Sequence, residues 1–436
     1  MLTAFLRAFR TPDLRRKLLF TIFVIAIFRL GAALPTPGIS EKAVHTCIGL
    51  ASKAGNNVFA LVNLFSGGAL FKLSVFALGI MPYITASIIL QLLAVVIPKL
   101  ETLRQEGQAG QNRITQYTRY LTVGLAILQS AGIVALARSG NLFGSTCTES
   151  LIPNDSIFTI STMVICMTAG TAVIMWLGEL ITDRGVGNGM SILIFTQVIA
   201  VIPGEMLNIY RSKHAFTFGI VLLVGVAIVA FVVFMEQAQR RIPVQYAKRM
   251  VGRKMYGGTS TYIPLKVNQA GVIPVIFASS LLYIPQLAST IFGNQTHPQG
   301  WYIWINTYLV RGDSPIYMLT FFVLILFFTY FYVAITFNPT EVADNMKKYG
   351  GFIPGIRPGR PTAEYLNYVL TRLTAPGSVY LGVIALIPMI ALALVGATQN
   401  FPFGGTSILI AVGVGLDTVK QIESQLQQRN YEGFLR

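Results

Sequence analysis

The side chains that most often carry catalysis or bind metals are few in this chain and lie far apart. The three histidines, His45, His214 and His297, have no metal-ligand spacing and no nucleophile beside them. The sequence contains no G-x-x-x-x-G-K-[ST] phosphate loop, so we do not expect the chain to hydrolyse a nucleotide itself. The sequence therefore predicts neither an enzyme nor a site for a metal or a cofactor.

Acidic residues are also scarce where ion transport would need them. The chain has 17 Asp and Glu, and almost none falls in the middle of an apolar segment, where proton or sodium relays require them. Glu179 and Asp183 lie near the end of one such segment, and we interpret them as interfacial partners of Arg184. A secondary transporter of small solutes, with a broken helix as its binding site, is the alternative function. The scarcity of carboxylates disfavours it.

Basic residues are concentrated in two loops. The first, 236–268, has the single acid Glu236 against seven basic residues: Arg240, Arg241, Lys248, Arg249, Arg253, Lys254 and Lys266. Val244, Tyr246 and Tyr256 are interleaved with them, which predicts a ribbon or hairpin. Such a projection can grip RNA phosphates or an acidic protein surface. Attraction to anionic lipid is the alternative.

The second basic loop, 337–371, differs in kind. Its segment FIPGIRPGRP holds Arg357 and Arg360 between prolines and glycines. This pattern predicts a stiff loop that presents two guanidinium groups at fixed positions to a partner. A solvated turn is the alternative.

The elements that position these loops are apolar and cross a membrane. Apolar residues make up 53% of the 436 residues and charged residues 11%, against about 25% charged in soluble domains. We predict an all-α polytopic membrane protein with ten membrane-spanning helices. They are expected at 18–34, 74–97, 119–137, 156–180, 189–203, 216–235, 270–291, 315–336, 373–396 and 404–425.

The distribution of charge predicts the orientation. With the N-terminus in the cytoplasm, the cytoplasmic segments hold 25 of the 33 Lys and Arg, and the exterior segments hold six. The positive-inside rule then predicts that both termini are cytoplasmic. The basic N-terminus has no small-residue cleavage site after it, so no cleavable signal peptide is expected. Ten spans divide into two halves of five, 1–203 and 204–436, which are joined by an exterior loop at 203–216. Because the number of spans in each half is odd, one half is inverted relative to the other. This division rests on counting alone.

One apolar stretch, 58–98, is too long for a single crossing and is interrupted. Asn63, Ser66, Gly67 and Gly68 break its first part, and Lys72 ends it. This pattern indicates a half-helix, 58–73, that enters the membrane without crossing it, followed by a helix that crosses. Broken backbone at membrane depth survives only where protein or a water-filled cavity shelters it. The stretch therefore predicts a cavity.

Two of the three cysteines lie in predicted exterior loops. Cys47 and Cys147 are on the side where a disulfide could persist, and Cys166 lies in the fourth span. A Cys47–Cys147 bridge and two free thiols are both open at this point.

Over nearly its whole length the chain resembles the SecY family, the channel subunits of the bacterial protein translocase. The resemblance rests on motifs that occur in order: NLFSGGAL (63–70), FALGIMPYITASIILQLL (76–93), QYTRY (116–120), WLGELITDRGVGNG (176–189), RRIPVQYAKR (240–249), NQAGVIPVIFASS (268–280), FNPTEVADNMKKYGGFIPGIRPG (337–359) and GGTSILI (404–410). It implies two inverted five-helix halves around an hourglass pore in the plasma membrane. Unfolded preproteins would cross through this pore, and transmembrane segments would leave it sideways into lipid.

The resemblance also implies roles for particular residues. The half-helix corresponds to a plug, and the pore constriction is a ring of five isoleucines, Ile80, Ile84, Ile194, Ile276 and Ile410. The second and seventh spans are edges of a lateral gate, where a polar seam is expected from Gln91, Gln129, Ser279 and Ser280. Residues that match the loops receiving the SecA ATPase or the ribosome are Arg240, Arg241, Lys248, Arg249 and Arg357. The implied partners are SecE, SecG, SecA, the ribosome, preprotein signal sequences and membrane lipid.

Overall fold

Long apolar helices dominate the structure, which is a computed structural model. It describes residue 9 and residues 11–44, 46–47, 67–70, 72–138, 151–212, 215–246, 249–251, 254–256, 260–292, 300–310, 314–395 and 405–432. The helices are α1 (Pro12–Ala33), α2 (Met81–Val96), α3 (Pro98–Gln105), α4 (Gln108–Arg138), α5 (Ile157–Arg184), α6 (Gly189–Ser212), α7 (Ala215–Gln237), α8 (Ile273–Phe292), α9 (Gly300–Ile305), α10 (Pro315–Thr336), α11 (Pro339–Lys348), α12 (Arg360–Val395) and α13 (Gly405–Glu432). A π-helix, Asn306–Val310, follows α9.

Each of the ten predicted spans overlaps one of these helices. Within the described part of the chain, four helices are long and apolar enough to cross a membrane by themselves, and a bent pair raises the number to five. These four lie in α4, α5, α12 and the region beginning with α10. Large apolar side chains on the outer faces are exposed, among them Phe23 at 62%, Leu223 at 69% and Phe327 at 60%. Lipid would cover such faces. The count of ten spans stays a prediction.

The interrupted stretch departs from the prediction at its centre. Ser74 forms an isolated antiparallel bridge with Pro35, residues 75–80 form turns, and α2 begins at Met81 rather than at Ser74. Pro82 occupies the first turn of α2, where its missing N–H is tolerated. Gly79 has a φ of 57°, which an L residue rarely adopts. Ile80 is consequently the N-cap residue of α2 instead of an interior helical residue, although the Ile84 N–H still donates to its carbonyl at 3.1 Å.

The fifth span is longer than predicted. Helix α6 continues through Pro203 to Ser212, and α7 begins at Ala215. The exterior loop predicted at 203–216 is therefore largely helical, and that prediction was wrong. Proline within a membrane helix is tolerated because neighbouring groups satisfy the freed carbonyl. The division of the chain into two halves stays a prediction.

The first basic loop forms the predicted ribbon. Strands β1 (Gln239–Tyr246) and β4 (Ser260–Lys266) pair antiparallel, and β2 (Arg249–Val251) pairs with β3 (Lys254–Tyr256) between them. In β1, Ile242 and Val244 are buried and the residues between them are exposed. This period-two alternation is that of a strand with one covered face. Strand β5 (Gly351–Phe352), from the second basic loop, extends the sheet along β1.

The cysteines differ in state. Cys47 is disulfide-bonded and fully buried, whereas Cys166 is free. Cys147 lies outside the described residues, so the Cys47–Cys147 pairing stays a prediction.

Candidate functional site

A partly open cavity of about 880 Å³, which we call the vestibule, lies among α2, α4, α5, α6, α8 and α13. It is on the side of the predicted cytoplasmic loops. Its lining includes six charged side chains of both signs: Arg119, Glu179, Asp183, Glu236, Lys266 and Asp417. Polar walls of this kind hold water. The helical second half of the interrupted stretch lines this cavity at Tyr83, Ile84 and Gln91, whereas the described residues 67–70 and 72–80 do not, so a cavity beside the broken backbone stays a prediction.

The floor of the vestibule is apolar. Ile84, Ile194, Ile276 and Ile410 line it, and these four side chains pack in one core with Ile80. We call these five residues the isoleucine cluster. Ile80 and Ile410 are each 1% exposed. The structure therefore brings together, from α2, α6, α8 and α13, all five isoleucines that the family resemblance singled out.

The turn between α5 and α6 fixes the position of Ile194. Asn188 accepts hydrogen bonds at its Oδ1 from the main-chain N–H of Met190 at 3.1 Å and of Ser191 at 3.4 Å. A Cβ at Gly189 would collide with the Gly178 carbonyl, so glycine is required for this close approach. The motif WLGELITDRGVGNG thus builds a tight helix start that points α6 into the vestibule floor.

The start of α8 is fixed by a buried side-chain pair. Asn268 donates from Nδ2 to the Glu236 carboxylate at 2.5 Å and to the Gly271 carbonyl at 3.2 Å. Gly271 has a φ of 63°, the left-handed region that favours glycine. The pair ties the end of α7 to the turn before α8, and so it positions Ile276. Sequence reasoning missed Asn268 and Asn188. For Asn188 a signal was available, because an asparagine between glycines just before an apolar helix favours capping.

A bidentate ion pair joins α4 to α5 in the vestibule wall. Arg119 Nε and Nη2 lie 2.9 and 2.8 Å from the two carboxylate oxygens of Glu179. The side chains are 41% and 22% exposed. The prediction that Glu179 pairs with Arg184 was therefore wrong. The Glu179 carboxylate instead pairs with Arg119 on the neighbouring helix α4.

We expect Glu179→Gln to lower the stability of the chain by about 1 kcal/mol or less, because a charge-assisted bidentate pair is lost in a partly solvated setting. Thermal unfolding in detergent measures the change. Glu364→Gln is the matched control, because its partner Arg360 lies at 3.0 Å but the side chains are 90% and 68% exposed. Equal shifts in the two variants would contradict a structural role for the Arg119 pair.

The described end of the predicted plug packs beside the isoleucine cluster. Gly67 has a φ of 66°, and its carbonyl accepts a hydrogen bond from Arg29 Nη1 at 3.3 Å. Ala69 belongs to the same core as the cluster. Gly67 and Gly68 lie in turns rather than in a helix. Asn63 and Ser66 lie outside the described residues.

The four polar residues predicted at the gate lie on helices that contact one another, since α8 contacts both α2 and α4. Gln91 lines the vestibule and donates to a serine one turn earlier at 3.5 Å. The hydroxyls of Ser279 and Ser280 donate to the Ile276 carbonyl, and Gln129 is half-buried. Among the described residues no hydrogen bond joins these four side chains to each other, so the seam stays a prediction.

The ribbon formed by β1–β4, which we call the basic ribbon, exposes two arginines on β1. Arg240 and Arg241 are exposed on β1, and the Arg241 guanidinium lies 4.9 Å from the centre of the Tyr262 ring on β4. Arg249 lies in β2, and Lys248 is outside the described residues. A guanidinium over an aromatic face is held in position while it remains available to an anionic partner.

The segment 353–360, which we call the arginine loop, is anchored at both ends. Ile353 is 4% exposed and packs with β1 and α12 residues, and the Thr362 hydroxyl donates to the Arg357 carbonyl at 2.9 Å. Gly355 and Gly359 have φ of 82° and 103°. The Arg357 side chain is exposed. The loop is thus constrained, as its composition predicted.

A bundle of apolar helices around a polar vestibule, closed by a dry floor, is the architecture of a membrane channel or transporter. The comparisons narrow the class. A family model of SecY matches residues 74–419. A protein translocase subunit SecY of Streptomyces galbus is 67% identical over 441 residues and covers 100% of both chains. The chain belongs to the SecY family.

Solved structures agree with this assignment at the level of the fold. A protein conducting channel superposes with a TM-score of 0.64 at 18% identity, covering 94% of this chain and 92% of the other. Sec61 in the canine ribosome–channel complex from the endoplasmic reticulum gives 0.61 at 17% identity, covering 94% and 92%. At such identities the likeness concerns the fold.

Proposed function

We propose that this chain is the channel through which unfolded preproteins cross the plasma membrane, and from which transmembrane segments pass sideways into lipid. The observation that carries the proposal is the convergence of the isoleucine cluster, from four helices, at the floor of the vestibule. The chain's membership of the SecY family supports the same function.

The side chains of the isoleucine cluster have the properties of a seal that blocks ions but lets a peptide pass. Isoleucine side chains are stiff at χ1, so five of them define a narrow opening. A hydrophobic constriction excludes ions by dewetting. It also offers no hydrogen bonds that would retain a passing chain. The Gly67–Leu70 segment against this core supports a plug at the opposite side of the constriction from the vestibule.

The sideways exit is proposed between α2 and α8, with α4 and α10 beside them. The contact between α2 and α8 is small compared with that between α2 and α4, which supports a seam that can part. An apolar signal sequence would separate the two helices and enter lipid there. The ten spans, the two inverted halves and the cytoplasmic termini belong to this proposal.

The basic ribbon and the arginine loop are proposed as the docking surface for the motor that drives transport, which is SecA or the ribosome. Both present exposed arginines, and the two are joined because β5, which immediately precedes the arginine loop, pairs with β1 of the ribbon. The fold shared with Sec61 in a ribosome complex supports the ribosome as one partner. SecE and SecG are proposed to complete the complex in the membrane.

Crosslinking tests the transport path. With cysteine at Ile84, Ile194 or Ile276, we expect a stalled translocating polypeptide carrying a thiol-reactive probe to form adducts at all three positions. The chain with only its native cysteines gives the background, and Leu223→Cys on the exposed outer face is the negative control. A stalled polypeptide that labels none of the three isoleucine positions would overturn the proposed path.

A further inference from the structure

Of the buried polar side chains that lack a hydrogen-bond partner among the described residues, two lie one helical turn beyond the isoleucine cluster. Gln197 on α6 and Ser407 on α13 are each 0% exposed. Within the described ranges, the side-chain amide nitrogen and oxygen of Gln197 have no hydrogen-bond partner, and the hydroxyl of Ser407 has none either. Buried polar side chains are satisfied in the large majority of cases, so two such groups at one level require an explanation.

Their level follows from the register of the helices. The vestibule lining on α6 ends at Ile194 and on α13 begins at Ile410. Gln197 is three residues after Ile194, and Ser407 is three residues before Ile410. Residues three apart share a helix face, and the two helices run in opposite directions through the floor. Both polar side chains therefore lie on the side of the cluster away from the vestibule.

Helix α8 also places a polar side chain at this level. Ser279 on α8 is three residues after Ile276, and its hydroxyl donates to the Ile276 carbonyl at 2.9 Å. Its oxygen lone pairs stay available as acceptors. Polar side chains thus follow the isoleucine cluster on three of its four helices, and we call Gln197, Ser279 and Ser407 the polar layer.

The Gly67–Leu70 segment packs against this level. A Cβ at Gly67 would lie 3.2 Å from the Gln197 Cα and 3.3 Å from the Gln197 carbonyl oxygen. The backbone of Gly67 is therefore in direct contact with α6 where the polar layer begins. In this arrangement the Gln197 side chain is 0% exposed.

We propose that the polar layer is a hydrogen-bonding site for the main chain of the translocating polypeptide, covered while the Gly67–Leu70 segment is seated. The inference rests on the proposed function and adds a second element to the path. An amide and a hydroxyl each donate and accept, as does every peptide group, so the match is independent of substrate sequence. The acidic side chains that would select a cation lie across the cluster, in the vestibule.

The unpaired state has a consequence for opening. A buried donor or acceptor without a partner destabilises the state that buries it. Gln197 and Ser407 therefore destabilise the seated state, and they gain partners when a polypeptide fills the path. The polar layer both contacts the substrate and favours the open channel.

Crosslinking and transport together test the proposal, with the full-length chain in its assembled complex in proteoliposomes. We expect Gln197→Cys and Ser407→Cys to form adducts with a stalled polypeptide, as Ile194→Cys does. Adducts at Ile194 without adducts at the two polar positions would overturn the polar layer and leave the proposed channel intact. No adduct at any of the three would contradict the channel path itself.

The double variant Gln197→Met with Ser407→Ala tests the hydrogen bonds. We expect transport about tenfold slower, which corresponds to about 1.4 kcal/mol, together with an equal or higher unfolding temperature. Thr196→Val is the matched control, because that hydroxyl already donates to the Ile192 carbonyl at 2.8 Å, and its transport should be unchanged. Unchanged transport in the double variant, or slow transport with a lowered unfolding temperature, would reject the polar layer in favour of simple core packing.

Discussion

Arg357→Glu is expected to abolish motor-driven transport while the chain still folds and assembles. The Arg357 guanidinium is exposed at the end of the arginine loop, and it takes part in no ion pair with another described residue. Its main chain is held by the Thr362 hydroxyl and by the buried Ile353. A partner can therefore bind the side chain without ordering the loop first, which preserves affinity.

The size of the effect follows from charge reversal at a fixed position. Losing one partner of a close charge pair at an interface costs about 2–5 kcal/mol, and a carboxylate in its place adds repulsion from the acidic group it meets. Folding should be unaffected, because the side chain packs against nothing in the core. The expected loss of binding is thus at least about thirtyfold.

ATP-dependent uptake of a preprotein into vesicles measures the outcome, and binding of SecA to the same vesicles locates the defect. Lys348→Glu is the matched control, since Lys348 is an exposed base at the end of α11, within the second basic loop 337–371 but outside the arginine loop. The Lys348→Glu substitution changes the net charge by the same amount as Arg357→Glu, but at a position outside the constrained loop. Normal SecA-driven transport by Arg357→Glu would end the assignment of the arginine loop as the docking element.

Much of this fold was predictable because local sequence and membrane physics agree. Gly67 and Gly68 interrupt an apolar stretch, and the structure packs the neighbouring Ala69 into the core of the isoleucine cluster, so protein shelters the broken backbone there. The interleaving of Val244, Tyr246 and Tyr256 with basic residues predicted the ribbon. The structure shows Ile242 and Val244 buried in β1 among exposed residues, which is the period-two pattern of a strand with one covered face.

The errors arose where tertiary contacts decide. Pro203 was expected to end a helix, yet α6 continues through it, because propensity is a weak prior when surrounding helices pack against the chain. Ile80 caps α2 instead of lying within it, because the turn at Gly79 sets the start of the helix. The spacing of apolar residues along the chain does not indicate where α6 ends or where α2 begins.

The polar layer shows a different limit of sequence reasoning. Gln197 and Ser407 lie in separate helices more than two hundred residues apart in the chain, and nothing in either local sequence indicates that the two share a level. Only the packing of α6 and α13 around the isoleucine cluster reveals that both side chains are buried and have no hydrogen-bond partner in the described part of the chain. By contrast, the sequence led us to expect a polar seam at the gate. Among the described side chains, the structure shows no direct hydrogen bond between the four residues of this seam, which are Gln91, Gln129, Ser279 and Ser280.

The isoleucine cluster carries the second large expected effect. Replacing both Ile84 and Ile276 by Asn should make the resting channel leak ions. The two residues belong to α2 and α8, the helices that meet across the vestibule floor, and Ile276 is 6% exposed. A dry constriction excludes ions because water does not fill it. Amide side chains would hydrogen-bond water there and fill the constriction.

Conductance of the purified complex in planar bilayers, without a substrate, measures this leak. If each amide stabilises water in the constriction by about 1 kcal/mol, the scale of a net hydrogen bond in a protein, two amides should raise the leak by roughly tenfold or more. Ile273→Asn is the matched control, because Ile273 is one turn away on α8 and lines the vestibule, where water already reaches. If both variants leak equally, the barrier to ions lies elsewhere than at the isoleucine cluster. If only the double variant leaks, the seal is the cluster itself, and the plug segment alone does not close the path.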